Sequence, residues 1–171
     1  FMLSWRDRET VMDLLELVSG NRVNYSANVL GGVKIDISAA QKDEILKGMD
    51  FLEERSRHYM KVVTEDETFL GRTRKIGVMA YEDARVLGAI GPTARASGVA
   101  RDVRVESPYA GYVDFPVNIQ LSDAGDLEAR FVVRINELFE SYRVIREILE
   151  KLPPGDLAAR MPRRIPEGET I

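Results

Sequence analysis

The sequence predicts a mainly α protein, a multihelical bundle with two long amphipathic helices and a small β element. Three observations carry this. Ile45, Met49, Leu52, Ser56, Tyr59 and Val63 follow one another at steps of three or four residues, which puts one stripe on one face of a helix. Leu127, Phe131, Ile135, Leu138, Tyr142, Ile145, Leu149 and Leu152 do the same. Val117, Ile119 and Leu121 instead alternate with Asn118 and Gln120, the period of a half-buried strand, and Pro116 stands at its start where a missing N–H does least harm.

In chain order, the first helix runs from Ser4 to Val18, with Val11, Leu14, Leu15 and Val18 on one face and Gly20 as a left-handed stop. Residues 21–36 lose that register and carry Gly31-Gly32 among β-branched neighbours, which predicts a loop with a short strand or turn. Ser38 and Gln41 form a capping box, and Asp43 and Glu44 suit the positive end of the helix dipole, so the first long helix starts there. Thr64 and Glu67 form a second capping box, for a shorter helix that Gly71 would end. A further short helix fits 81–87, stopped by Gly88. From Leu87 to Gly111 glycines and arginines crowd a run with no helical period, and a site or interface is to be sought in it. Asp126 caps the last long helix, and Pro153-Pro154-Gly155 ends it. The chain thus divides into a helical portion, 1–155, and an extended tail, 156–171, that reads as a lead into something further. Phe1, with no initiator methionine, likewise predicts a piece of a longer protein.

Composition narrows the function classes. With 171 residues, 44% hydrophobic and 30% charged, the chain has the make-up of a globular domain, and no apolar run approaches the roughly 18 residues of a membrane span. A net charge of −4 argues against a general nucleic-acid binder. With no cysteine the chain by itself offers no thiolate for an iron–sulfur cluster, nickel or zinc, and one histidine, His58, makes no His-rich site. No signal peptide is readable, and an intracellular place is expected.

Gly88, Gly91 and Gly98 match neither a dinucleotide nor a Walker spacing and read as turns. Arg95, Arg101 and Arg104 flank Asp102, which fits ion pairs pinning a long loop and equally an interface ordered by a partner. Tyr109 and Tyr112 strengthen the second reading, because tyrosine and arginine are enriched at interface hot spots. His58 reads as a boundary residue. Glu137 and Glu140 share a helix with Arg130, Arg134 and Arg143 at spacings that predict solvated ion pairs. Neither a catalytic residue nor a metal ligand is expected within the chain.

Several motifs recur together in one family. They are Arg8-Glu-Thr10, Gly20-Asn-Arg22, Gly31-Gly-Val33, Gly91-Pro92, Arg95-Ala-Ser-Gly98 with Ala100-Arg-Asp102 and Arg104, Pro108-Tyr109 with Tyr112, and Gly125-Asp126 with Arg130, Arg134 and Glu137. Over nearly its whole length the chain resembles the middle of the large subunit of membrane-bound, energy-converting nickel–iron (NiFe) hydrogenases of the formate hydrogenlyase type. It is similar also to the related 49 kDa-type subunit of NADH–quinone oxidoreductase (complex I). The resemblance implies that fold. It also implies a parent with two Cys-x-x-Cys pairs holding a Ni–Fe centre, the first pair before Phe1 and the second after Ile171.

Complex I relatives tend to carry a histidine where this chain has Asn24, beside Tyr25, and an asparagine there points to the hydrogenase branch. The implied activity of the parent is hydrogen and proton redox chemistry, with electrons passing to the clusters of a small iron–sulfur subunit and driving ion movement through membrane subunits. The segment alone would be inactive. Asn24 and Tyr25 become cluster-facing candidates, and Arg95, Ser97, Arg101, Asp102, Arg104, Tyr109 and Tyr112 partner-interface candidates. The implied place is peripheral, on the cytoplasmic side of a membrane-bound complex. The alternatives are a quinone-reducing 49 kDa-type subunit without nickel and a metal-free structural subunit.

Overall fold

The computed structural model describes residues 2–25, 27–160 and 168; of the expected tail, 161–167 and 169–171 lie outside the described residues. Among the described residues the chain is mainly helical with a two-stranded sheet, in the order α1 (Met2–Ser19), β1 (Asn28–Val29), β2 (Gly32–Val33), α2 (Ala39–Glu65), α3 (Glu67–Thr73), α4 (Tyr81–Val86), α5 (Gly91–Arg95), α6 (Val103–Glu106), a 3-10 turn (Ala110–Val113) and α7 (Leu127–Lys151). It divides into two compact units, one of Phe1–Gly48 with Pro153–Ile171, the other of Met49–Leu152.

In the first unit Gly20, at φ +77°, turns the chain out of α1 and donates its N–H to Glu16 O at 2.8 Å. The predicted capping box opens α2: Ser38 N–H donates to Gln41 Oε1 at 2.9 Å, and Gln41 N–H returns to Ser38 Oγ at 3.3 Å. Gln41 also donates from Nε2 to Leu17 O at 3.0 Å. A Cβ added at Gly48 would stand 2.7 Å from Leu14 Cδ1, so the missing side chain lets α1 and α2 come close. Between the helices β1 and β2 pair antiparallel, with Val29 opposite Gly32. The far end of the chain adds to this sheet, since Val33 N–H donates to Leu157 O and Ala159 N–H to Gly31 O, both at 2.9 Å.

The second unit is organised on α7. Asp126 caps it as expected, accepting from Ala129 N–H at 2.8 Å, and its other oxygen accepts from Lys75 N–H at 2.7 Å. Ala96, next to α5, packs with Ala129 and Val133 of α7, all nearly or fully buried. A second cluster, Ala84, Ala94 and Val99, joins α4 to α5. The two long helices meet through Ser56 and the Tyr142 hydroxyl at 3.0 Å, where burial pushes the phenol pKa up, and through Arg146, which pairs with Asp50 at 2.9 Å and Glu53 at 2.6 Å.

Five expectations change. The strand expected at 117–121 does not form: Asn118 N–H donates to the Glu140 carboxylate at 2.7 Å, and no neighbouring strand among the described residues offers a ladder. Thr64 is no cap, because α2 continues through it and its hydroxyl back-bonds to Met60 O at 2.9 Å; Asp66 caps α3 instead, accepting from Phe69 N–H at 2.7 Å. Gly71 lies inside α3. Of the expected α7 stripe, Phe131 and Leu138 are each 43% exposed and Leu152 41%, because the alanine-lined contact with α5 turns Ala129 and Val133 inward. The run 87–111 is likewise not structureless, since it holds α5, α6 and the start of the 3-10 turn.

Gly88 and Gly125 both need positive φ, at +63° and +67°, but they differ in surroundings. A Cβ at Gly88 meets nothing within 4 Å, whereas one at Gly125 would be driven into the backbone carbonyl of Met79. Urea unfolding is expected to show Gly88→Ala costing about 1 kcal/mol and Gly125→Ala about 3 kcal/mol.

Candidate functional site

Arg95 ends α5 with only 7% of its surface exposed, and a buried guanidinium needs acceptors on every side. It finds three. Its Nε donates to Glu137 Oε1 of α7 at 2.7 Å, its Nη1 donates to Arg101 O at 3.0 Å, and the same nitrogen lies 3.4 Å from Asp102 Oδ2. Gly98, at φ +80°, turns the backbone after α5 so that Arg101 and Asp102 come back beneath it. Asp102 then caps α6, accepting from Arg104 N–H at 3.0 Å. The Arg104 side chain forks onto the same carboxylate, Nε to Oδ1 at 2.9 Å and Nη2 to Oδ2 at 2.7 Å.

The hydrogen bonds from Arg104 hold the Asp102 carboxyl below the usual carboxylate range, and Asp102 in turn raises the Arg104 guanidinium, with a contribution from Tyr112. Arg104 lies over the Tyr112 ring, 5.9 Å from its centroid, and Tyr109 meets Tyr112 edge to face at 5.3 Å. Between the tyrosines Ala110 takes φ +47°, an unusual conformation for a residue with a Cβ. The Arg101 side chain, unlike its carbonyl, stands apart from this network and pairs at the surface with Glu106 at 3.0 Å. Ser97 is 2% exposed and takes part in packing, which removes it from any open face.

Two cavities border the network. One, about 780 Å³, is lined by Arg95, Arg101, Asp102, Arg104, Glu106 and Glu137, with Ile90, Val103 and Tyr109 among its apolar and aromatic walls. The other, about 340 Å³, is a mostly apolar groove of Tyr112, Phe115, Val117, Val144, Ile145 and Ile148. Arg104 lines both.

Asn24 and Tyr25 belong to the other unit. Asn24 takes φ +62° and donates its N–H to Asn21 O at 3.1 Å, and Tyr25 is 68% exposed. Nearby, Arg22 is held on α1 by Asp13 at 2.7 Å and by Glu9, and these acids raise its pKa. His58 is exposed on α2, its ring edge-on to Tyr59.

Sequence reasoning placed Glu137 in solvated pairs along its own helix; the structure gives it to Arg95, 42 residues away, while Glu140 does pair locally, with Arg143 at 2.6 Å. The available signal was a charge imbalance, since Asp102 and Glu106 together cannot answer Arg95, Arg101 and Arg104. The donor set does not fit a thiolate-held Ni–Fe centre: the sequence has no cysteine, and among the described residues no group of three or more His, Cys, Asp or Glu could hold a metal ion.

The family profile described as respiratory-chain NADH dehydrogenase, 49 Kd subunit, matches residues 1–170. The chain belongs to this family. It is 34% identical to a D-type NADH-quinone oxidoreductase subunit of Thermodesulfovibrio yellowstonii over 100% of the chain and 45% of that protein. It is 37% identical to NADH-quinone oxidoreductase subunit 4 of Thermus thermophilus over 97% of the chain and 41% of the relative. Among solved structures it resembles a chain of the membrane-bound sulfane sulfur reductase, an archaeal respiratory membrane complex, with a TM-score of 0.85 and 31% identity over 95% of this chain and 44% of that one. The chain therefore spans less than half the length of these relatives. Among the described residues no helix is long and apolar enough to cross a membrane.

Removing one partner from a buried ion pair strands the other's charge. Arg95→Ala is expected to cost about 3 kcal/mol in denaturant unfolding, whereas Arg101→Ala leaves the midpoint near wild type. Because the Asp102 pKa is lower folded than unfolded, its contribution is complete above about pH 4 and is lost as pH falls through the folded value. Acid titration of stability should show that loss in the wild type and a shallower one in Asp102→Asn.

Proposed function

We propose that the chain is a segment of a quinone-reducing, 49 kDa-type component of a membrane-bound respiratory complex. The match of the 49 kDa family to residues 1–170 carries this reading. The named relatives are subunits of NADH-quinone oxidoreductase, which supports the quinone-reducing alternative better than the hydrogenase branch that Asn24 pointed to. Electrons would arrive from the clusters of a small iron–sulfur subunit, and a quinone taking up two electrons and two protons would leave as the quinol. The segment's own part is to bind and orient. The buried Arg95–Asp102–Arg104 network, braced by Glu137, keeps the loop that carries Tyr109 and Tyr112 in one shape before a partner arrives, so little ordering entropy is spent on docking. Asn24 and Tyr25 are the proposed cluster-facing residues, Arg95 to Tyr112 the proposed partner-facing loop, and the peripheral arm on the cytoplasmic side the proposed location.

A second reading follows from the solved relative, which is part of a sulfane sulfur reductase and so points to a sulfane sulfur compound as terminal acceptor. The test uses the complete parent complex with reduced methyl viologen as donor and, in turn, decylubiquinone, polysulfide or protons as acceptor. Quinol formed in step with viologen oxidised is the expected result. Hydrogen release would return the assignment to the nickel–iron branch, sulfide release would favour the second reading, and no turnover in a complex with intact clusters would leave a structural subunit.

A further inference from the structure

The smaller cavity is shaped like a seat for a helix. Its wall on α7 is Ser141, Val144, Ile145 and Ile148, residues at i, i+3, i+4 and i+7 that share one face over two turns. Opposite stand Tyr112, Phe115 and Val117, so a mostly apolar trough of about 340 Å³ runs along that face. Tyr112, Phe115, Ile145 and Ile148 are only half-buried in it. A strand laid here would need backbone groups to pair with, yet beside Val117 the Asn118 N–H already donates to Glu140 at 2.7 Å and the Pro116 carbonyl already accepts from Arg143 Nη2 at 2.8 Å. A helix satisfies its own backbone and brings apolar side chains every three or four residues.

Size decides where that helix comes from. Nine residues line the trough, whereas a stable contact between separate chains engages about 20–30 residues a side. A seat this small suits a tethered segment, because a tether removes most of the freedom otherwise lost on association. The chain spans less than half the length of its relatives, so a polypeptide of this family carries more residues outside the matched part than inside it. We propose that the α7 face from Ser141 to Ile148 is an internal docking site of the full-length protein, filled by an amphipathic helix of the same polypeptide from outside residues 1–171. Its apolar side chains enter between Tyr112 and Phe115 on one side and Ile145 and Ile148 on the other.

The experiment places a diazirine-bearing aliphatic amino acid at Ile145, and in a second preparation at Ile148, in the full-length parent within its complex. Light forms the cross-links and mass spectrometry maps them. Both positions are half-buried and aliphatic, so a replacement of similar shape leaves α7 intact. The expected product joins each position to the parent's own polypeptide outside residues 1–171, at least about tenfold over any other product. The sites reached from Ile145 and Ile148 are expected about three residues apart, as in one turn of a helix. Sites about one or two residues apart would mean an extended occupant and would overturn the docking site. Cross-links chiefly to an iron–sulfur or membrane subunit, to lipid or to solvent would overturn it as well. A complex that reduces decylubiquinone yet gives any of those products loses the docking site and keeps the proposed function.

Discussion

A single carboxylate, Asp102, 5% exposed, accepts from the Arg104 guanidinium and backbone N–H and pairs with Arg95 at 3.4 Å, and the shape of the loop from α5 to the 3-10 turn depends on it. Dehydrating a carboxylate is costly, and the cost is met because Arg104 forks onto both oxygens while Arg95 adds a second cation at Oδ2. Arg95 in turn reaches Glu137, so the loop is fastened to α7 by charge-assisted hydrogen bonds as well as by apolar packing. The loop's other attachments are backbone ones: Ser122 N–H donates to Arg95 O at 3.1 Å and Gly125 N–H to Ala96 O at 2.8 Å. Side chain and main chain of the same short segment are thus both committed to holding the loop on α7 and on the chain before it.

The first turn of α7 does comparable work for the neighbouring loops. Asp126 holds both Ala129 and Lys75, and Arg74 pairs with Glu128 at 2.7 Å, so the connection after α3 is tied to the start of α7. Phe69 and Phe131 meet edge to face at 5.1 Å on the same contact. This explains how Phe131 remains useful while 43% exposed: its ring packs on α3, and the most deeply buried positions beside it go to alanine and valine.

Periodicity and capping chemistry made the long elements legible. The stripes located α2 and α7, Ser38 with Gln41 and Asp126 marked where they begin, and Gly20 and Gly88 marked where the chain turns away. What escaped has physical causes. Helices of four or five residues, such as α5 and α6, complete about one turn and cannot display a period. Close packing through Ala96 and Ala129 is silent to any search for large apolar side chains. The strand expected at 117–121 failed because alternation describes a preference while a sheet needs a partner, and here a glutamate side chain satisfies the backbone instead. At the site, the arginines and Asp102 were visible as a cluster, but the Arg95–Glu137 contact joins residues far apart in sequence. The branch of the superfamily was harder still, since Asn24 is one position, whereas the family match rests on residues 1–170.

The hairpin at Gly32 has a consequence for how this polypeptide is made. Its sheet is completed by Leu157, Ala158 and Ala159, and the unit it belongs to is assembled from both ends of the chain, Phe1–Gly48 and Pro153–Ile171. On a ribosome the residues of the first stretch emerge early and must wait, while the intervening unit, Met49–Leu152, is synthesised whole and closes on its own local contacts. Until the residues near 158 appear, the bare β1–β2 hairpin keeps an unpaired edge, so the nascent chain is most open to misassociation during that interval.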